Sequence, residues 1–184
     1  MNPDGKSRII ALSGVSGTGK TTLCREIHRR LSAGGVDVAG IISPAVFENG
    51  IKTRIMVRDL KTGRQTQLAE KEPVPGSLTE KRWRFSGEGW AHGRVGMARA
   101  LPCDVLIIDE IGPIEMLHSE GWTCAFELLK AEGFRKAVVT VRPELLEHFR
   151  MRTGGAAPVM LTSPPASRAE ALARICRLLD PFET

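Results

Sequence analysis

The sequence predicts an α/β fold, with a mostly parallel sheet, helices on both faces and an inserted antiparallel β-hairpin region at about residues 45–86. Three observations predict it. Short apolar runs recur along the chain, as in strands buried on both faces. Between them lie segments with apolar residues at helical spacing, so strands and helices alternate. From about Ala45 to Ser86 the alternation stops, and turn dipeptides separate stretches rich in charge. At 184 residues the chain, 1–184, reads as a single domain, long enough for a sizeable core and too short for two catalytic domains.

The elements follow in order. Ile9–Ser13 is an apolar run entering a glycine-rich stretch, which reads as a buried strand. Leu23, Ile27 and Leu31 recur every four residues and place one apolar stripe on a helix that Gly34-Gly35 ends. A second strand spans about Val36–Ser43 and stops at Pro44. In the inserted region Ile55, Val57 and Leu60 sit among charged neighbours, and Asn49-Gly50 and Thr62-Gly63 mark hairpin turns. Glu72–Gly76, with two prolines, reads as a loop.

Helical spacing resumes at about Glu88–Leu101, although Gly89, Gly93 and Gly96 each cost about 1 kcal/mol relative to alanine. Asp104–Asp109 is a third buried strand. A helix at about Ser119–Glu132 carries Trp122, Phe126 and Leu129 on one face and ends at Gly133. Lys136–Val141 is a fourth strand, followed by Pro143 in the first turn of a helix. Pro158–Leu161 is a fifth strand. The last helix opens on a capping box from Ser167 to Glu170 and runs to about Leu179.

Composition narrows the function classes. Hydrophobic residues at 42% and charged residues at 26% exclude collagen-like, coiled-coil and disordered chains. No apolar run approaches the roughly 20 residues that span a bilayer, so no membrane partner is expected. The amino terminus lacks an apolar signal core, and four scattered cysteines form no CxxC pair. The expectation is therefore a cytoplasmic protein with free thiols, not a zinc site or a disulfide framework. The formal charge of +5 suits an anionic ligand. The densest basic cluster, Lys81–Arg84, is short and reads as a solvated face; aromatics are only 5% with no tyrosine, so nucleic acid is not an expected partner. Trp83 and Trp90 flank the inserted region; a core or hinge role is favoured over stacking on a base.

Gly14-Val15-Ser16-Gly17-Thr18-Gly19-Lys20-Thr21 is a full G-x-x-x-x-G-K-[ST] phosphate-binding loop, or P-loop, between a predicted strand and a predicted helix, with Thr22 following. Glycines let the backbone wrap a phosphate and aim its N–H groups inward, and the helix start presents positive partial charge to the same anion. Lys20 can reach the β and γ phosphates of a bound nucleotide such as ATP or GTP, and the Thr21 hydroxyl can take a position on Mg²⁺. Val105–Ile108 is an apolar strand that delivers Asp109 to the carboxyl edge of the sheet, where open α/β sheets bind ligands. Asp109 is the candidate Walker B carboxylate holding Mg²⁺.

Glu110 stands beside it. In P-loop ATPases with an extra strand between the P-loop and Walker B strands, a glutamate here activates the attacking water. Lys136–Val141 would be that extra strand, with Thr140 and Arg142 at its end, placed to sense a γ-phosphate; a surface role for Arg142 is equally open. Asp109-Glu110-Ile111-Gly112 also satisfies the D-x-x-G element of signalling GTPases, but no N/T-K-x-D segment follows, so loose base selectivity is expected.

Together with the P-loop, the run Asp109-Glu110-Ile111-Gly112-Pro113-Ile114-Glu115 resembles the small P-loop nucleoside-triphosphatase family that includes the cancer-related nucleoside-triphosphatase. Gly40-Ile41-Ile42-Ser43-Pro44, Asp59-Leu60 and Leu68-Ala69 extend the resemblance over most of the chain. It implies a RecA-like core and Mg²⁺-dependent hydrolysis of several nucleoside triphosphates to diphosphate and phosphate. The chain departs from some members at Val141-Arg142-Pro143, which is more charged here. Glu115 is placed either as support for the loop or the metal's surroundings, or as an acid favoured at a helix start. Two other functions fit the same loop: a nucleotide or small-metabolite kinase whose lid uses Arg54, Arg58, Arg64, Arg82 and Arg84, and a nucleotide-gated carrier acting on an unidentified protein partner.

Overall fold

A computed structural model describes residues 7–76, 81–160 and 165–179. Strands β1 (Ile9–Ser13), β2 (Val38–Ile42), β7 (Cys103–Ile111), β8 (Phe134–Val141) and β9 (Ala157–Met160) form the parallel part of one nine-stranded sheet. Strands β3 (Ala45–Glu48), β4 (Ile51–Asp59), β5 (Gln65–Pro73) and β6 (Lys81–Phe85) extend it as antiparallel hairpins. The order is β6-β5-β4-β2-β7-β8-β1-β9, with β3 on β4. The inserted region is therefore an extension of the main sheet, joined where β4 pairs antiparallel with β2.

The apolar runs are buried on both faces, and their period of two divides the core. In β1, Ile9 and Ala11 enter one cluster and Ile10 and Leu12 the other; in β7, Leu106 and Ile108 oppose Val105 and Ile107 in the same way. Helix α1 (Lys20–Ala33) covers the second cluster with Leu23, Cys24 and Ile27, beside α6 (Pro165–Leu179) with Ala171 and Ile175. Helix α2 (Gly87–Ala98), α4 (Cys124–Lys130) and α5 (Leu146–Arg152) cover the first through Met97, Phe126 and Phe149. The Gly34 amide closes α1 on the carbonyls of Arg30 and Leu31. The serine side chain of the predicted box at Ser167 lies outside the described residues, as does Leu161 of the fifth strand.

Two expectations change. The helix predicted at Ser119–Glu132 is only Cys124–Lys130, and a short helix α3 (Pro113–Leu117) precedes it, opened by Pro113. The predicted loop at Glu72–Gly76 begins later, because β5 runs to Pro73, where it pairs with Lys81. The basic cluster Lys81–Arg84 keeps the solvated face the sequence predicts, with Lys81, Arg82 and Arg84 exposed on strand β6. Arg82 pairs with Glu72, and Arg84 with Glu70 and Glu72, across the β5–β6 ladder, while Arg54 pairs with Glu48. Such exposed pairs contribute about 0–1 kcal/mol each. They leave three of the five lid arginines engaged within the hairpins.

The glycines that weaken α2 in the sequence are what let it dock. A Cβ at Gly89 would lie 2.4 Å from the Gln67 carbonyl oxygen and 2.6 Å from the Leu68 Cα; one at Gly93 would lie 2.6 Å from the Trp122 ring. Gly89→Ala gains about 1 kcal/mol in helix propensity, whereas overpacking costs about 1–3 kcal/mol and β5 backbone yields little. A lowered thermal midpoint is expected; a raised one would show that α2 does not approach β5 this closely.

Candidate active site

Between β1 and α1, residues 14–19 form the phosphate-loop turn. Gly17 and Gly19 adopt φ of 85° and 95°, the left-handed region open to glycine. The Thr18 hydroxyl donates to the Val15 carbonyl at 2.9 Å and closes the turn. Val15, Ser16 and Gly17 form its exposed rim, while Gly14 and Thr18 are buried. The Lys20 ammonium lies inside the loop, 6% exposed, and donates to the carbonyls of Gly14 at 2.6 Å and Val15 at 3.2 Å. Thr21 is half-buried and Thr22 exposed on the first turn of α1.

Strand β8 lies between β1 and β7, the arrangement the sequence anticipates. Register between β7 and β8 runs from Ile108 opposite Val139 to Ile111 opposite Val141, so Asp109 and Glu110 together oppose the single residue Thr140. A bulge of this kind is rare between parallel strands and re-aims side chains. Asp109 is only 1% exposed; its Oδ1 accepts from the Thr140 hydroxyl at 2.7 Å and its Oδ2 from the Ser43 amide at 3.1 Å. The Ser43 hydroxyl donates to the Asp109 carbonyl at 2.5 Å. Thr140, anticipated as facing a phosphate, instead turns onto this carboxylate. Burial raises the Cys24 thiol well above its usual range, Asp109 raises it further, and Lys20 lowers it.

Glu110 turns the other way. Its Oε1 accepts from Arg142 Nε at 3.0 Å, joining the ends of β7 and β8. Glu115, at 3% exposure, is a buried brace for the following loop: its oxygens accept from the Gly112 amide at 2.9 Å and the Trp122 amide at 3.2 Å. Burial pushes its carboxyl up from the usual range, and the two amides pull it back. Of the two sequence alternatives, this is loop support, made at a helix start. Glu115→Ala strands both buried amides at about 1–3 kcal/mol each. Chemical denaturation is expected to show the loss, and an unchanged midpoint would remove the brace.

Asp109 and Thr21 offer hard oxygen donors of the type that Mg²⁺ takes alongside phosphate oxygens and water. Asp109 is a buried carboxylate whose hydrogen bonds come from Ser43 and Thr140, not from a lysine or arginine. Among the described residues no cluster of three or more His, Cys, Asp or Glu could hold a metal unaided. The donor set fits a cation shared with a bound triphosphate. Sequence reasoning passed over Ser43 in this role, because its closeness to Asp109 depends on β2 lying next to β7.

A phosphate loop on β1, an acidic strand β7 and an intervening β8 define a P-loop protein of the kind with an additional strand between the two. A family model described as NTPase matches residues 9–162, and the chain belongs to that family. It is 35% identical to the nucleoside-triphosphatase THEP1 of Korarchaeum cryptofilum, over 64% of this chain and 59% of that one. The chain thus spans under two thirds of that relative's length. To the nucleoside-triphosphatase THEP1 of Pyrococcus abyssi it is 31% identical, over 76% of each. The solution structure of a human cancer-related nucleoside triphosphatase shares the fold, with a TM-score of 0.70 at 24% identity, covering 97% of this chain and all of that one. Among the described residues no helix is long and apolar enough to cross a membrane.

Proposed function

We propose that the protein is a Mg²⁺-dependent nucleoside triphosphatase that hydrolyses nucleoside 5′-triphosphates, ATP and GTP among them, to diphosphate and phosphate in the cytoplasm. The observation that carries the reading is Glu110 beside the buried Asp109, at the end of a strand separated by one strand from the phosphate loop. A carboxylate at this edge accepts a proton from water, which a transferase would have to keep out. The relatives named as nucleoside-triphosphatases support it.

In this reading the backbone amides of Gly17–Thr22 and the ammonium of Lys20 hold the β and γ phosphates. Thr21 and Asp109 hold Mg²⁺, which when bound neutralises charge on the phosphate oxygens. Ser43 and Thr140 orient the Asp109 carboxylate. Glu110 holds the attacking water in line with the γ-phosphorus and takes its proton as the new P–O bond forms and the bond to the leaving diphosphate oxygen breaks. Arg142 fixes the Glu110 carboxylate through one guanidinium nitrogen, leaving others to face the γ-phosphoryl oxygens. No base-reading segment has been identified, so phosphate release is expected from ATP, GTP, CTP and UTP alike, and only with Mg²⁺. Release from a single nucleotide would overturn the loose selectivity; release independent of Mg²⁺ would overturn the metal assignment.

A further inference from the structure

The chain has three tryptophans and no tyrosine, and Trp83, Trp90 and Trp122 all line one cavity of about 280 Å³. Glu110 and Arg142 form its polar side, and none of its lining residues belongs to the loop 14–21. It shares Glu110 and Arg142 with the catalytic edge and extends from them to the rings on β6 and α2.

Its aromatic residues fall into two groups. Phe85 stacks on Trp90 with ring centroids 5.1 Å apart, and Trp90 meets Trp122 edge-on at 4.8 Å. The Trp122 indole N–H donates to the Trp90 carbonyl, so this trio is pinned to the core. Trp83 is different. It stands half-buried on edge strand β6 and belongs to neither core cluster. The ammonium groups of Lys52 and Lys71 lie 5.2 and 5.5 Å from its ring. Lys52 is also within electrostatic reach of Glu110, Asp109 and Arg142, with burial pushing its pKa down. An apolar space walled by flat rings, with cations at its edge, selects a flat ligand with an anionic group.

We propose that this cavity is a second small-molecule site, taking a planar heteroaromatic ring that carries one phosphate or carboxylate, with the ring against Trp83 and Trp90 and the anion on Lys52 and Lys71. The volume is just under the roughly 300–1,000 Å³ usual for small-molecule sites, so it admits a fused ring rather than a whole nucleoside triphosphate. The site is additional to the hydrolase reading, and its occupancy does not depend on Glu110 acting as a base.

Because every tryptophan lines the cavity, intrinsic fluorescence reports its occupancy directly. The full chain, with its phosphate loop saturated by Mg²⁺ and a non-hydrolysable triphosphate, is titrated with AMP, GMP, CMP, UMP and nicotinate. At least one probe is expected to change the emission saturably. Stacking on one ring predicts that Trp83→Leu weakens that probe by about fivefold or more. Lys52→Met is expected to weaken it as well, while both variants keep the parent triphosphate affinity and thermal midpoint. The proposal is overturned if no probe gives a saturable change, or if both variants bind it with parent affinity. It is equally overturned if the change appears only when the triphosphate is left out, because the probe is then in the phosphate loop.

Discussion

Glu110→Gln is expected to bind nucleotide as the parent does and to turn it over at least about a hundredfold more slowly. The substitution keeps side-chain volume and leaves an oxygen to accept from Arg142 Nε, so the link between β7 and β8 survives. What it removes is the carboxylate that can take water's proton. Positioned general bases contribute about 10²–10⁴-fold, or roughly 3–5 kcal/mol of barrier. Binding persists because Lys20, Thr21 and Asp109 are untouched. Single-turnover phosphate release beside a binding titration separates the two effects. Asp109→Asn differs: it alters an almost fully buried group held by Ser43 and Thr140, so Mg²⁺ dependence and affinity fall together with rate. Parent-rate hydrolysis by Glu110→Gln would reduce Glu110 to the partner of Arg142 that ties β7 to β8 and return the kinase and carrier readings to the front.

Lys20→Ala is expected to weaken triphosphate binding by about tenfold to a hundredfold while the fold persists. A hydrogen bond to a charged group contributes about 1.5–3 kcal/mol, and the lysine offers several donors to two phosphates. Among the described residues its hydrogen bonds go to the Gly14 and Val15 carbonyls, inside the loop itself. Removing it therefore loosens the cradle without opening either core cluster. Calorimetric titration with Mg²⁺ and a non-hydrolysable triphosphate checks the affinity, and circular dichroism melting checks the fold. Unchanged affinity would count heavily against the phosphate-loop assignment; loss of the folded state would give Lys20 a structural role.

The parallel strands were legible because each is a short run of apolar residues closed by glycine, proline or an acid, a local signal of burial on both faces. The hairpins were legible from their turn dipeptides. Helix α2 was legible but undervalued, since glycine lowers helix propensity in isolation and only the docked strand β5 reveals why no side chain fits at Gly89. Helix α3 and the shortened α4 were not legible. Glu115 binds the Gly112 and Trp122 amides there, a bond across seven residues that overrides the apolar spacing around Trp122.

The sequence by itself determined the phosphate loop and the acid at the end of β7. Phosphate recognition by backbone amides needs contiguous residues, and a strand-end carboxylate needs only the run before it. Tertiary structure alone decided which groups meet these two. Asp109 finds Ser43 and Thr140, 66 and 31 residues away, and Glu110 finds Arg142, 32 residues away. The three tryptophans come from one strand, one helix and one loop to line one cavity. A period of two assigns a side chain to a face of the sheet, but its neighbour on that face is set by strand order and register, which long-range pairing fixes only as the chain folds.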